Sequence, residues 1–293
     1  MSANTTTHTL SKTERAHLLW RKTVNVIMLS LTGVAALGVV SVLFLILGYL
    51  VYNGGHALNW AFFTQLPKPV GETGGGMANA IVGSLKLLLL AAVIGLPVGL
   101  LTGVYLAEFG GKTFSFIVRY TNDLLNGVPS IVIGIFAFAL VVRPVKSFSA
   151  LAGGFALAMM VVPVTVRSTE EFLKAVPGNM REAAMALGAS KWKTIATVVL
   201  PAASGGILTG MLLALARVAG ETAPLLFTAF GNRYWSHGWM QPIASLPVMI
   251  YTYAIAPYDD WHRQAWAAGL VLLALVLLSN LGARFILART KSV

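Results

Sequence analysis

The hydrophobic pattern of this chain is one of long, nearly charge-free runs separated by short polar segments. A helix needs about 20 apolar residues to cross roughly 30 Å of hydrocarbon. Runs of this kind cover Val24–Val51, Leu87–Ala107, Leu124–Val142, Ser147–Val166, Ala202–Phe230 and Gln264–Leu287. Six membrane-spanning helices are therefore expected, and the fifth and sixth carry charge, with Arg217 and Glu221 in one and Arg284 near the end of the other. A seventh apolar stretch, Trp239–Tyr258, contains Pro242, Pro247 and Pro257. Proline removes a helical donor and clashes with the preceding turn, so this stretch reads as a loop or a partly inserted segment. The 28-residue run Val24–Val51 far exceeds the roughly 7–15 apolar residues of a cleavable signal and follows a long polar lead, so it is expected to stay as an anchor.

The expected organisation is a polar tail, residues 1–23, and a transmembrane permease-type domain, residues 24–293. Its core lies at 75–287, and one long polar loop at 167–201. Neither of the larger loops at the other side, Tyr52–Ala78 and Gly231–Arg263, is long enough for a domain of its own. No internal repeat stands out. The fold class is all-α, a polytopic membrane protein.

Orientation follows from Lys and Arg, which favour cytoplasmic loops. With the N-terminus inside, fourteen of the twenty-one basic residues fall on inner segments, among them Lys112, Arg119, Arg167, Lys174, Arg181, Lys191 and Lys193. Five fall outside, namely Lys68, Arg143, Lys146, Arg233 and Arg263, and Lys86 and Arg217 lie at or within helices. Both termini are then cytoplasmic.

Composition sharpens this picture. The chain is 57% hydrophobic and 11% charged, against roughly 45–50% and about 25% for an ordinary soluble domain. Disorder is excluded and a soluble enzyme is disfavoured, because the apolar excess needs lipid to cover it. The net charge of +11 is accounted for by topology. Nucleic acid is not an expected partner, since the inner segments are short and lack interleaved aromatics. With no cysteine, disulfides, Fe–S clusters and thiol chemistry are absent. The five histidines, at positions 8, 17, 56, 237 and 262, form no i, i+4 pair, so no metal site is expected. Gly110-Gly111-Lys112-Thr113 resembles the end of a P-loop, but the first glycine of that motif is Leu106 here and the context is a membrane helix, not a strand. The chain does not bring its own nucleotide hydrolysis, and no nucleophile–base–acid arrangement is visible.

Two features remain. On the long inner loop, Glu182-Ala183-Ala184-Met185-Ala186-Leu187-Gly188 is followed by Lys191-Trp192-Lys193 and Leu200-Pro201. Strong helix formers flank a glycine break, which describes a short helix, a turn and a second helix entering the membrane. Its alanines permit close approach by another protein; an ordinary amphipathic loop is the plain alternative. Within the fifth span, Arg217 and Glu221 are four residues apart, hence on one helix face if the helix is continuous. Charge at mid-bilayer costs about 2.5–3.5 kcal/mol or more. The two form either a structural ion pair or an anion relay in which the planar guanidinium takes the oxygens of an anion, with Thr222 adding a hydroxyl and Gly220 leaving room. Lys86 is a snorkelling lysine at the mouth of the second span or an electropositive entry point. Arg167 marks an inner exit or anchors its helix. Glu108, Asp123, Glu170 and Glu171 sit near inner interfaces as structural or partner-facing carboxylates. Pro129, Pro163 and Gly220 are hinge candidates, with lipid-facing kinks the alternative for the prolines.

The loop spacing E-A-A-x3-G-x9-[I]-x-L-P resembles the EAA loop of ABC importer permeases, with Glu182, Ala183, Ala184, Gly188, Leu200 and Pro201 in place and Val198 where isoleucine is usual. Ala216-Arg217-Val218-Ala219-Gly220-Glu221-Thr222-Ala223-Pro224-Leu225-Leu226 resembles the A-R-x-x-G-E-T-A-P-L-L signature of phosphate permeases, and Gly127–Gly134 their G-V-P-S-I-V-x-G stretch. Asn79-Ala80-Ile81-Val82-Gly83-Ser84 and Tyr105-Leu106-Ala107-Glu108 resemble the PstA rather than the PstC branch. The resemblance covers about residues 75–230.

It implies a MetI-like ABC permease fold in a bacterial inner membrane, and an importer for inorganic phosphate that works by alternating access. A PstC-type permease, a dimer of PstB-type ATPases and a PstS-type periplasmic binding protein are the implied partners. Glu182, Ala183, Ala184, Gly188, Lys191 and Trp192 would couple to the ATPase, and Arg217, Glu221, Thr222, Lys86 and Arg167 would line the path. ATP and Mg would belong to the partner, with no cofactor bound by this chain. Permeases for sulfate or molybdate, and a channel or scaffold outside the ABC class, are the alternatives.

Overall fold

The computed structural model describes residues 12–72 and 74–290; residues 1–11 of the tail and Lys291 of the basic C-terminal group lie outside these. Two units are distinguished, Met1–Tyr52 and Asn53–Val293. The first consists of most of helix α1, Lys12–Gly55, whose long apolar stretch exposes its side chains along its length. Helix formation thus starts well before the apolar run, in the polar lead.

The second unit contains α2 (Trp60–Thr64), α3 (Ala78–Glu108), α4 (Lys112–Gly127), α5 (Ser130–Val145), α6 (Ala150–Ala175) and α7 (Gly178–Ala186). It continues with α8 (Lys191–Val218), α9 (Ala223–Thr228), α10 (Leu246–Ala254) and α11 (Asp259–Thr290). Among the described residues five helices, α1, α3, α6, α8 and α11, are long and apolar enough to cross a membrane, and α4 with α5 forms a sixth candidate bent by 106°. The fold is all-α; four of the six expected spans are found with their ends shifted, and the third and fifth are broken.

Helix α6 is the central element. A row of small residues on α3, Ala91, Gly95, Gly99 and Gly103, faces it; a Cβ on Gly99 would lie 2.6 Å from the Cβ of Thr165. Such rows let helix backbones approach closely where lipid gives no hydrophobic drive for association. Contacts advance together along both helices, Leu87 with Gly153, Gly95 with Val161 and Gly103 with Thr169, so α3 and α6 run parallel. The chain between them must therefore cross back once, which α5 does. Gly206 of α8 meets Phe172 and Gly210 meets Ser168, so α8 runs antiparallel to α6. Three apolar clusters stack along the bundle. Val104, Leu173, Ile195 and Val199 lie at the end holding the 176–190 loop, Leu87, Leu157, Val161, Val218 and Leu225 in the middle, and Phe62, Met77, Leu246 and Trp261 at the opposite end.

The third expected span, Leu124–Val142, is not one straight helix. Pro129 disfavours helical geometry for Val128, which is extended at φ −71 and ψ 130, and the two helices part there. Helix α4 then buries the polar Ser115 and Asn122 and exposes Phe114, Phe116, Ile117 and Tyr120. This inverts the pattern of a soluble helix and suits a lipid-facing surface. Pro163, by contrast, does not interrupt α6, which continues to Ala175 with its carbonyl receiving a bond from Asn122 Nδ2 at 3.2 Å. Two helices widen into π turns, Phe138–Val142 and Ile195–Val199, each ending two residues before Pro144 or Pro201. Widening moves the carbonyl four residues back out of the proline ring's way. The Leu200-Pro201 pair of the loop signature is thus where α8 changes pitch.

The fifth expected span also breaks. Running a helix through to Phe230 would drive the Pro224 ring into the carbonyl of Gly220. Helix α8 instead ends at Val218 and α9 restarts at Ala223. The stretch Trp239–Tyr258 is a loop followed by α10, nine residues long and therefore only about 14 Å, too short to span.

Candidate functional site

The break at Ala219–Thr222 decides the geometry of the signature charges. Arg217 sits in the last turn of α8 and is exposed; Glu221 lies beyond the helix in the turn and is half-buried. The expectation that both share one helical face is corrected. Among the described residues neither joins an ion pair within 4.0 Å. Gly220 is exposed, with nothing near the position of a Cβ, and Thr222 precedes α9 without making a side-chain capping bond. What the structure presents is an unneutralised guanidinium at the end of an apolar helix, beside a backbone break. Such a group can receive an anion without first giving up a carboxylate partner.

The break is held by the other signature stretch. Gly134 on α5 lies against Pro224, the Thr228 hydroxyl of α9 donates back to the Pro224 carbonyl at 2.7 Å, and the Thr228 carbonyl accepts the Ser149 N–H at 3.0 Å. Leu225 and Ala229 are buried in the middle cluster. The α5 and α9 segments therefore fix the turn that carries Glu221.

Lys86 does not stand at the opening of the second span. Helix α3 begins at Ala78, so Lys86 lies in its third turn, half-buried. Its ammonium donates to the Ser236 carbonyl at 3.0 Å and sits 5.9 Å from the centre of the Trp239 ring. The loop 231–243 closes over it. Nearby, Asn79 donates to the Asn232 carbonyl at 2.7 Å, and Ser84 Oγ accepts the Leu246 N–H at 2.8 Å. The N-A-I-V-G-S stretch is where this loop is pinned to α3.

Arg167 lies at the other end of the bundle. It pairs with Glu171 at 3.0 Å and Asp123 at 3.7 Å, with all three side chains largely exposed. Next to it Glu170 is buried and accepts from Arg119 at 2.7 Å and from Lys174. These residues line a cleft of about 240 Å³ with Leu106, Asn122 and Val166. Its three cations and three carboxylates balance. The cleft ties α4 to α6, and no local pattern signals that Arg119, fifty-one positions from Glu170, closes on it.

The 176–190 loop carries the expected helix, turn and helix. Helix α7 has no buried residue. Gly188 takes φ +85, the Gly188 N–H bonds the Met185 carbonyl at 2.9 Å and the Ala189 N–H the Ala184 carbonyl at 3.2 Å. This is the glycine-terminated Schellman cap. Ser190 caps the following helix through the Lys193 N–H. Glu182, Ala183 and Met185 are exposed, Ala184 is half-buried, and Leu187 is 91% and Trp192 62% exposed. Lys191 turns back instead, its ammonium on the Glu108 carbonyl and 4.5 Å from the Phe109 ring. Arg181 was not singled out by the sequence, yet it pairs with Glu108 at 2.8 Å. Among the described residues there is no cluster of side chains suited to a metal.

Comparison with known proteins places this architecture. The family described as binding-protein-dependent transport system inner membrane component matches residues 95–292. The phosphate transport system permease protein PstA of Yersinia pestis is 45% identical over 97% of this chain and 96% of its own length. That of Xylella fastidiosa strain Temecula1 is 48% identical over 92% of this chain and 95% of its own. Among solved structures, the inward-facing MetNI methionine ABC transporter aligns with a TM-score of 0.57 at 22% identity, over 73% of this chain and 96% of that one. An importer of the acidic polysaccharide alginate gives 0.54 at 15% identity, over 72% and 78%. These two likenesses are of fold. With a match over two thirds of the chain and relatives aligned nearly end to end, this chain belongs to the PstA family of phosphate transport system permease proteins.

Proposed function

We propose that this chain is the permease subunit of an ATP-driven importer of inorganic phosphate in a bacterial inner membrane, with both termini cytoplasmic. The observation that carries the reading is near-full-length similarity to phosphate permeases joined to an unpaired Arg217 at the α8–α9 break. Phosphate has about one to two negative charges near neutral pH, and a guanidinium matches its oxygens in a bidentate fork while staying protonated. Glu221, half-buried four residues on, limits how tightly the anion is held. Lys86, under the loop 231–243, and Arg167, already occupied by two carboxylates, bracket the path at its two ends.

The chain forms the path with a PstC-type permease. A PstS-type binding protein delivers phosphate outside, and a PstB-type ATPase dimer inside binds ATP and Mg. Closure of that dimer moves α7, whose exposed Glu182, Ala183 and Leu187 and neighbouring Trp192 offer the docking face. Access then alternates between the two sides. This chain contributes path, selectivity and transmission, and no hydrolysis of its own.

The test is uptake by the complete transporter in proteoliposomes with labelled phosphate. Unlabelled phosphate should suppress uptake, and sulfate or molybdate in excess should leave it unchanged. Suppression by sulfate or molybdate equal to that by phosphate would assign the path to another oxyanion. ATP-independent uptake would reject the importer.

A further inference from the structure

At the loop end of the bundle lies a buried ion pair that the transport path does not use. Glu108 ends α3 with a side chain only 7% exposed, and Arg181 stands in the first turn of α7. The Arg181 Nη2 donates to Glu108 Oε1 at 2.8 Å and its Nε to the same oxygen at 3.2 Å. The same guanidinium donates to the Leu173 carbonyl at 2.7 Å and the Val176 carbonyl at 2.6 Å, at the C-terminal end of α6. One planar fork therefore joins the ends of α3 and α6 to α7. A second tie lies beside it: Lys191 holds the Glu108 carbonyl, and Trp192 packs on Phe109 with ring centres 5.3 Å apart.

Helix α7 has nine residues and buries none of them. Apolar packing does not fix its angle, and a helix this short has little stability of its own. Its covalent ends and the Arg181 fork are what set its orientation. The Glu108 carboxylate is the only charge compensating Arg181 within 4.0 Å among the described residues, in a setting where charge-assisted bonds are strong. We infer that Glu108 and Arg181 are positioning residues that transmit movement of α7 to α3 and α6, so that ATP hydrolysis is coupled to opening of the path. The inference rests on the reading of α7 as the ATPase-docking helix.

The test uses the complete transporter in proteoliposomes with Arg181→Lys and, separately, Glu108→Gln. Lysine keeps the charge but loses the fork that reaches three acceptors at once. Glutamine keeps shape and acceptor but loses the charge. Three quantities are read for each: the amount of assembled complex, phosphate uptake per complex, and ATP hydrolysed per phosphate imported. The latch predicts near-normal assembly and a rise of about fivefold or more in ATP hydrolysed per phosphate, the lower range of site-to-site couplings. An unchanged ratio overturns it, whether uptake is normal or falls only in step with the complex. Failure of both variants to assemble also overturns it, because the pair is then purely a folding element. The underlying reading is tested apart: the chain has no cysteine, so Ala184→Cys gives a single thiol for cross-linking to the ATPase. No cross-link there removes the docking on which the latch rests, whereas a cross-link with an unchanged ATP ratio in the latch variants rejects the latch alone.

Discussion

Gly134 and Pro224 are in direct contact: a Cβ on the glycine would lie 2.6 Å from the proline Cα. These residues come from two signature stretches ninety positions apart, and their meeting holds the α8–α9 break in place. The other signatures pair in the same way. Glu108 of the Y-L-A-E stretch receives Arg181 beside the E-A-A loop, and Gly83 of N-A-I-V-G-S sits under the Ala244 carbonyl. Each motif is one half of a packing contact.

Gly134→Ala is expected to destabilise the assembled transporter by about 1–3 kcal/mol, the usual cost of overpacking against backbone that cannot move aside. Gly127→Ala, in the same signature but with nothing within 4 Å of the added atom, should be close to neutral. Thermal unfolding of the two purified variants side by side checks the contrast; equal midpoints would show that Pro224 yields.

Arg217→Gln should lower phosphate uptake by about 10- to 100-fold, corresponding to loss of a charged hydrogen bond worth roughly 1.5–3 kcal/mol. Because Arg217 has no ion-pair partner among the described residues, assembly should be unaffected. Uptake in proteoliposomes, normalised to complex recovered by pull-down of the ATPase, gives the answer. Wild-type uptake would remove Arg217 from the path.

Gly188→Val places a β-branched residue at φ +85, where a non-glycine residue costs about 1–2 kcal/mol and a branched one more. The cap at the end of α7 should open and stimulation of the ATPase by phosphate-loaded binding protein should fall. Gly188→Asn, which tolerates the left-handed region, should keep most of the stimulation. Equal stimulation in both variants would separate the turn from coupling.

Glu170 is buried while its partners Arg119 and Lys174 are half-exposed. Either cation alone still compensates the carboxylate. Arg119→Gln and Lys174→Gln should each cost little, since exposed partners contribute modestly. The double variant should cost at least about 1 kcal/mol more than the two singles together, because an unpaired buried carboxylate remains. A thermal-shift double-mutant cycle measures this; additive shifts would mean that water reaches Glu170.

Much of the architecture is legible in the sequence for a plain physical reason. A bilayer core offers no partner for backbone groups, so spans must be long apolar helices and show themselves as such. The parallel course of α3 and α6 is the relative direction expected of the second and fourth spans. The turn at Gly188 is likewise local, since it depends on one residue's conformational freedom. The bends are less legible. Pro129, Pro163 and Pro224 all interrupt apolar runs, yet α6 continues through Pro163 while the chain turns by 106° at Pro129. A proline in a helix well packed by neighbours is tolerated, and one at an unpacked boundary is not, which sequence spacing does not record.

The amino-acid sequence by itself determined most of the spans, the helix–turn–helix of the 176–190 loop and the family, because these depend on local composition and short spacings. Tertiary structure decided that Arg217 and Glu221 part company at a helix end. It also decided that Lys86 is covered by a loop, and that Arg181, Arg119 and Arg167 find carboxylates on other helices. Those outcomes turn on where helices stop and which faces meet in space. Charges 51 or 73 residues apart become neighbours only once small residues let the helices close upon each other.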